Sequence, residues 1–163
     1  NYNSSNNINR RGIVLDANST PINKLNIAGG GKFQRSYYAD GPYQGKNISL
    51  SPDLLLNARA NYLINMKWSF GGVVNYVSNQ AYDAAPSING LAQMPSYVVG
   101  DMYLGYKTGG WDTKFTIKNV GNASYATYGV YGFISLPGGN GANNYAYYPS
   151  NPRSYFFTAR YTF

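Results

Sequence analysis

The sequence predicts an all-β fold of antiparallel transmembrane strands that form part of a β-barrel. Period-two alternation of apolar and polar residues recurs seven times. Each occurrence spans about the nine to eleven residues that a tilted strand needs to cross hydrocarbon. The connections alternate between short turns and long loops, as they do in membrane barrels. No stretch approaches about eighteen uninterrupted apolar residues, so the sequence excludes a membrane helix.

The seven predicted strands divide the chain into regular hairpins, in the order Arg11–Asn18, Leu25–Tyr37, Leu54–Ile64, Trp68–Ser78, Tyr97–Tyr106, Trp111–Gly121 and Arg153–Phe163. The short turns are expected around Thr20–Lys24, Asn65–Lys67 and Lys107–Gly110, and the long loops at Tyr38–Asp53, Ala81–Ser96 and Asn122–Pro152. If the C-terminus lies in the periplasm, every short turn falls on the periplasmic side and every long loop falls outside.

Each of the first three strands carries apolar and small residues on one face and polar residues on the other. The apolar sets are Ile13, Leu15 and Ala17, then Leu25, Ile27 and Phe33, then Leu56, Ala58, Ala60 and Tyr62. The polar sets that alternate with them are Asp16 and Asn18, then Asn26, Lys32 and Gln34, then Asn57, Arg59 and Asn61.

The last four strands repeat the pattern. Their apolar sets are Trp68, Phe70, Val74 and Tyr76; Val98, Met102, Leu104 and Tyr106; Phe115 and Ile117; and Tyr155, Phe157, Ala159, Tyr161 and Phe163. Their polar sets are Ser69 and Asn75; Asp101 and Tyr103; Lys114, Thr116 and Lys118; and Ser154, Thr158, Arg160 and Thr162. The apolar face is expected to contact lipid and the polar face to line a water-filled interior.

Aromatic residues lie beside the short turns, where an interfacial girdle is expected. They are Tyr62, Trp68, Tyr106, Trp111 and Tyr161. A soluble sandwich would instead need bulky residues that fill a core shared by two sheets, whereas this face mixes small residues with aromatics.

Composition narrows the function classes. The chain has no cysteine and no histidine, which removes thiolate metal sites and the commonest general base, so we expect no enzyme activity, no catalytic or metal site and no cofactor. The net charge of +7 is spread over alternating strands without a basic helix, which argues against nucleic acid. Asn1–Asn9 have no basic and apolar segments of an export signal.

Seven strands cannot close a single-chain barrel with both ends in the periplasm, and an open sheet would leave unpaired edges in lipid. We therefore expect residues 1–163 to be the C-terminal part of one larger barrel domain, whose earlier strands lie on another segment of polypeptide.

Four motifs resemble the C-terminal third of TonB-dependent outer-membrane receptors. They are Arg11-Gly12-Ile13-Val14-Leu15-Asp16 at a strand opening, Pro95-Ser96-Tyr97-Val98-Val99-Gly100-Asp101 at a strand start, Asn119-Val120-Gly121-Asn122-Ala123-Ser124-Tyr125 after the penultimate strand, and Pro152-Arg153-Ser154 before the last strand. Each motif is weak alone, but their order and spacing cover almost the whole chain.

The resemblance implies a 22-stranded barrel of the bacterial outer membrane that encloses an N-terminal plug and imports a scarce nutrient, most often a ferric siderophore. The implied partners are the remaining strands, the plug, the TonB complex, the barrel-assembly machinery, and outer-membrane lipid including lipopolysaccharide. This chain would supply the last seven strands, without the plug or the TonB box. Two alternatives stay open: a non-transporting barrel that serves as an adhesin or anchor, and a soluble all-β binding domain.

The final strand resembles the C-terminal assembly signal of outer-membrane barrels, in which Tyr155, Phe157, Ala159, Tyr161 and Phe163 would be read. Such a signal works by strand addition: an extended segment pairs along an exposed edge while alternate side chains enter apolar sites.

Charged residues on the predicted interior face are mostly basic. The basic residues are Lys32, Arg59, Lys114, Lys118 and Arg160, and the acidic residues are Asp16, Asp101 and Asp112. A positive wall would favour an anionic cargo. Alternatively, these charges pair with one another or with the plug.

Three arginines, Arg11, Arg35 and Arg153, share the lipid-facing register at the outer ends of their strands. Their guanidinium groups can hold lipopolysaccharide phosphates through two hydrogen bonds each. Alternatively, they extend into the headgroup region without a specific partner.

The longest loop is the candidate cargo contact, because tyrosine offers a large contact area at low entropic cost. Its aromatic residues are Tyr125, Tyr128, Tyr131, Phe133, Tyr145, Tyr147 and Tyr148, and its tip reads Pro137-Gly138-Gly139-Asn140-Gly141. Alternatively, these rings only pack on neighbouring loops.

Overall fold

A computed structural model describes residues 7–84, 93–135 and 141–163. These residues form β1 (Ile8–Ile22), β2 (Leu25–Tyr38), β3 (Leu54–Leu63), β4 (Trp68–Val77), β5 (Gln80–Ala81), β6 (Gln93–Met94), β7 (Tyr97–Thr108), β8 (Trp111–Lys118), β9 (Ala126–Ser135), β10 (Gly141–Pro149) and β11 (Ser154–Tyr161). A single 3-10 turn spans Gly41–Tyr43. No helix in the described ranges is both long and apolar enough to cross a bilayer.

The predicted strands assemble into one antiparallel sheet in the order β1-β2-β3-β4-β7-β8-β11. Its register confirms the two predicted faces. Across β1, β2, β3, β4 and β7, one row of partners reads Leu15, Gly31, Leu56, Tyr76 and Val98, and the next row reads Asp16, Gly30, Asn57, Asn75 and Val99. The first row is apolar or small throughout, and the second row is polar or small except for Val99.

The apolar face is uncovered. Leu15 is 62% exposed and Val74 is 43% exposed, and no second layer of described residues packs on them. A soluble sandwich would bury these side chains against another sheet. An apolar face of this extent on a monomer is normally covered by lipid or protein.

The hydrophobic side chains that are buried within the described ranges are few: Ala28, Ala81 and Met94. Met94 is 1% exposed and lies in a loop beyond the strands of the large sheet. Two of these three residues, Ala81 and Met94, belong to the β5–β6 pair beyond the large sheet, whereas Ala28 lies within β2.

Two of the three hairpin turns are tighter than the sequence predicts, and the turn predicted at Asn65–Lys67 also includes Ile64. The turn expected at Thr20–Lys24 is reduced to Asn23 and Lys24, because β1 continues to Ile22 past a register shift. Pro21 lies within this irregular stretch, where the missing N–H is tolerated. Gly109 and Gly110 have φ of 50° and 86°, which are the positive angles that a type I′ hairpin turn requires.

β8 ends at Lys118 and not at the predicted Gly121. Asn119 adopts φ 50°, and its backbone N–H donates a hydrogen bond to Oδ1 of Asp101 at 2.9 Å. This left-handed conformation, which Asn tolerates better than most residues, stops the strand.

Two of the long loops contain further strands that the sequence reading assigned to loop. β5 pairs with β6, and β9 pairs with β10 in a hairpin of its own. Tyrosine occurs on both faces of β9 and β10, which hides the period-two contrast that identified the other strands.

Candidate functional site

The β9–β10 hairpin sorts the predicted cargo-contact rings onto two faces. Tyr131 pairs with Tyr145 at a centroid distance of 4.5 Å. Tyr128 pairs with Tyr148 at 5.6 Å, and this pair belongs to the opposite face because the two pairs lie an odd number of residues apart. The hairpin therefore presents aromatic surface in both directions.

The preceding loop is attached to this hairpin through Asp83. The Asp83 amide donates to the carbonyl of Gly129 at 2.8 Å, and the Tyr131 amide donates to the carbonyl of Asp83 at 3.1 Å. The Tyr128 hydroxyl donates to Oδ2 of Asp83 at 2.8 Å. These three bonds join the two outer loops.

Side-chain packing reinforces the attachment. The Tyr82 ring lies 4.8 Å from the Tyr145 ring, which extends the Tyr131–Tyr145 pair into a row of three. A Cβ at Gly129 would lie 2.8 Å from the Tyr82 ring and 3.1 Å from the sulfur of Met94. Gly129 is therefore required for the close approach of the two loops.

The hydrogen bond to Asp83 raises the pKa of the Tyr128 hydroxyl above its ordinary value. The cause is that the bond stabilises the protonated form and the carboxylate disfavours a phenolate beside it. The loop from Gly121 to Pro152 contains no charged residue of its own, so the carboxylate beside Tyr128 comes from Asp83 of the preceding loop. The hairpin surface is thus aromatic and uncharged.

The remaining predicted contact residues do not join the row. Tyr125 lies at the base of the loop and stacks on Tyr97 at 4.5 Å. Phe133 and Tyr147 are 69% and 63% exposed, and they are free to contact a ligand. Of the predicted glycine-rich tip, residues 137–140 lie outside the described residues.

Tyr82, Asp83 and Met94 were missed by sequence reasoning, because they belong to a different loop from the predicted cluster. The dipeptide Tyr82-Asp83 was the available signal, as it places a ring beside a carboxylate in an outer loop.

The polar face of the large sheet carries both ion pairs found among the described residues. Lys118 lies 3.2 Å from Asp101, and Lys107 lies 3.0 Å from Asp112. The Lys114 ammonium lies 4.2 Å from the centroid of the Tyr103 ring. Two of the predicted interior cations are therefore engaged with neighbours.

Three other interior cations, Lys32, Arg59 and Arg160, make no ion pair with the described residues. Arg160 is the register partner of Asp112, but that carboxylate pairs with Lys107. Arg59 lines a depression of about 440 Å³ together with Asp101, Tyr103, Lys114 and Lys118. Three cations and one carboxylate line this depression, so its surface is positively charged.

The three arginines of the apolar face separate into a pair and a single residue. Arg11 and Arg35 are direct cross-strand partners on β1 and β2. Arg153 precedes β11 at the far edge of the sheet, where its amide donates to Oδ1 of Asn122 at 3.0 Å.

The last strand pairs along its length with β8. The Tyr161 ring lies 5.0 Å from both Trp111 and Phe163, and the Thr162 amide donates to the carbonyl of Gly110 at 3.0 Å. Phe163 itself is fully exposed. The edge of β11 that faces away from β8 has no partner strand among the described residues.

The comparisons with known proteins agree with this architecture at the level of structure. No protein-family profile matches the sequence. No curated protein sequence matches it either. Among solved structures, the ferric yersiniabactin uptake receptor FyuA from Yersinia pestis superposes with a TM-score of 0.80 at 20% identity over 96% of this chain and 24% of that protein.

Two further structures give similar results. The siderophore receptor PiuA from Acinetobacter baumannii superposes with a TM-score of 0.73 at 17% identity over 93% of this chain and 21% of that protein. The copper transporter OprC gives 0.72 at 14% identity over 96% of this chain and 24% of that protein. The chain has the fold of the C-terminal strands of a TonB-dependent receptor barrel.

This result confirms the predicted fold class, the antiparallel strands of a transmembrane β-barrel, which form an open sheet in the described part of the chain. The chain spans about a fifth to a quarter of the length of these receptors. The proteins with this barrel that we compared are transport receptors and not enzymes.

Proposed function

We propose that this chain forms the C-terminal strands of a TonB-dependent transporter in the bacterial outer membrane, and that the transporter imports a ferric siderophore. One observation carries the proposal: a seven-stranded sheet with a mainly apolar face and a cationic polar face superposes on siderophore receptors. The chain would act in binding and transport and not as an enzyme.

The partners follow from the surfaces that the sheet leaves open. β1 and β11 would each pair with a further barrel strand, because an unpaired edge in hydrocarbon leaves backbone groups unsatisfied. A plug domain would cover the polar face and connect the barrel to TonB. The barrel-assembly machinery would recognise β11 through Tyr155, Phe157, Ala159, Tyr161 and Phe163.

The outer aromatic cluster would be the cargo contact of this segment. Tyr131, Tyr145 and Tyr82 form a continuous row, and the exposed rings of Phe133 and Tyr147 belong to the same face of the hairpin as Tyr131. Flat rings in this arrangement suit a ligand with a large aromatic or apolar surface.

The polar face would favour an anionic cargo. Lys32, Arg59 and Arg160 have no carboxylate partner among the described residues, so their charge contributes to the field inside the barrel. Like-signed groups in a channel with low-dielectric walls raise the local concentration of the opposite charge.

Uptake of radioactive iron by cells with the full-length gene deleted, and then complemented, tests the proposal. We expect deletion to abolish iron uptake from at least one ferric siderophore, and Tyr131→Ala with Tyr147→Ala to lower the binding affinity. Thr127→Ala, an exposed change on the same hairpin, is the matched control. Unchanged uptake of every ferric siderophore tested after deletion would contradict the proposal.

A further inference from the structure

Arg11 and Arg35 stand opposite each other on the apolar face, an arrangement that is unfavourable without an anion. They are direct cross-strand partners. Like charges at such positions destabilise a sheet, because their Cβ atoms lie only about 5 Å apart. No carboxylate among the described residues forms an ion pair with either guanidinium, including Asp53, which lines the same groove.

The neighbouring residues position the pair. The Arg35 guanidinium lies 5.7 Å from the centroid of the Tyr37 ring, which restrains it by a cation–π contact. Arg10, next in sequence to Arg11, belongs to the other face and donates to the Ser36 hydroxyl at 3.1 Å. The apolar face therefore keeps two guanidinium groups that form no ion pair with a carboxylate of the described residues.

The surface beneath the pair is apolar. Ile13 and Phe33 line a groove of about 550 Å³ with the two arginines, and they are 63% and 50% exposed. Leu15 continues the apolar surface along β1. A ligand that fits would carry an anionic group at one end and hydrocarbon at the other.

We propose that Arg11 and Arg35 form a clamp for the phosphate group of an outer-leaflet lipid, whose acyl chains lie over Ile13 and Phe33. Each guanidinium group can donate two parallel N–H bonds to the phosphate oxygens. An ammonium group lacks this planar arrangement of donors. The anion would also remove the repulsion between the two arginines. Arg153 is not part of this site, because five strands separate β1 from β11.

Lipid binding to the purified full-length protein tests the clamp, with native mass spectrometry as the readout. The probes are lipid A with its phosphates, the same lipid A after enzymatic dephosphorylation, and inorganic phosphate. We expect the phosphorylated form to bind at least about tenfold more tightly than the dephosphorylated form, and Arg11→Gln or Arg35→Gln to remove most of that difference.

Two substitutions make the test specific. Arg11→Lys should give an intermediate affinity, since it keeps the charge and loses the two-donor geometry. Arg10→Gln, the same charge change on the opposite face, should leave lipid binding unchanged. Equal binding of phosphorylated and dephosphorylated lipid would overturn the proposal, and so would displacement of the lipid by millimolar inorganic phosphate. Neither outcome depends on cargo uptake.

Discussion

The hydroxyl of Tyr103 on β7 donates a hydrogen bond to Oδ1 of Asn61 on β3 at 2.5 Å, although β4 lies between the two strands. The ring crosses β4 at Gly71, the register partner of both residues. Lys114 on β8 covers the same ring. One tyrosine thereby connects four strands on the polar face, and the absence of a side chain at Gly71 is what permits it.

Gly71→Ala should destabilise the barrel. A Cβ at this position would lie 2.7 Å from the Tyr103 ring and 2.8 Å from the carbonyl oxygen of Ala60. Overpacking of this kind costs about 1–3 kcal/mol, which we expect as a loss in the free energy of unfolding in detergent. Gly121→Ala is the matched control, because nothing lies within 4 Å of its Cβ position. Equal stability of the two variants would show that the Tyr103 ring does not depend on Gly71.

Asn119→Ala should loosen the longest loop. The buried Asn119 side chain donates to the carbonyls of Ala123 and Asn151 and accepts from the Ala123 amide. Loss of these bonds at φ 50° should cost about 1–3 kcal/mol and increase proteolysis within residues 122–152. Asn119→Gly should be milder, because glycine tolerates the positive φ. Asn143→Ala, an exposed change, is the control, and protease resistance equal to that control would contradict this role.

Asp83→Asn should uncouple the two outer loops and lower the pKa of Tyr128 towards its ordinary value. The Tyr128 pKa is raised in the folded protein, so the bond contributes fully below the ordinary value of about 10 and is lost as pH rises through the raised value. Carbon-13 NMR of labelled tyrosine, with Tyr128→Phe for assignment, measures the pKa. In Asp83→Asn, hydrogen exchange at the backbone amides of residue 83 and of Tyr131 should also accelerate. An unchanged Tyr128 titration would refute the contact.

Deletion of Phe163 should impair assembly more than stability. Its ring is fully exposed and contacts Tyr161, so its removal takes away little buried surface. We expect less folded receptor in the outer membrane, measured by heat-modifiable migration on gels, with an almost unchanged unfolding temperature for the protein that does fold. Phe163→Tyr should retain assembly. A large fall in unfolding temperature with normal assembly would reverse this assignment.

The sequence predicts the large sheet well because its two faces differ in chemistry. Ile13, Leu15 and Ala17 against Asp16 and Asn18 identify a strand and its orientation without any neighbour. The hairpin of β9 and β10 lacks this contrast, since Tyr128 and Tyr131 place the same side chain on opposite faces. Its strands therefore appear only in the structure.

Pairings depend on register, and register depends on turn length. The turn predicted at Thr20–Lys24 is a two-residue turn, and only that register sets Arg11 opposite Arg35. The contact between Asp83 and Tyr128 joins residues of two different loops, 45 positions apart. No local pattern in the sequence predicts such a contact.

Single spin labels distinguish whether lipid or protein covers the apolar face. This part of the chain has no cysteine, so labels can be placed singly at Leu15, Val74, Asn57 and Asn75. In the full-length protein in bilayers, labels at Leu15 and Val74 should collide with oxygen dissolved in lipid and be shielded from a water-soluble nickel complex. Labels at Asn57 and Asn75 should be shielded from oxygen in lipid. Labels at Leu15 and Val74 that are shielded from both reagents would show that protein covers this face and that the sheet is not the wall of a membrane barrel.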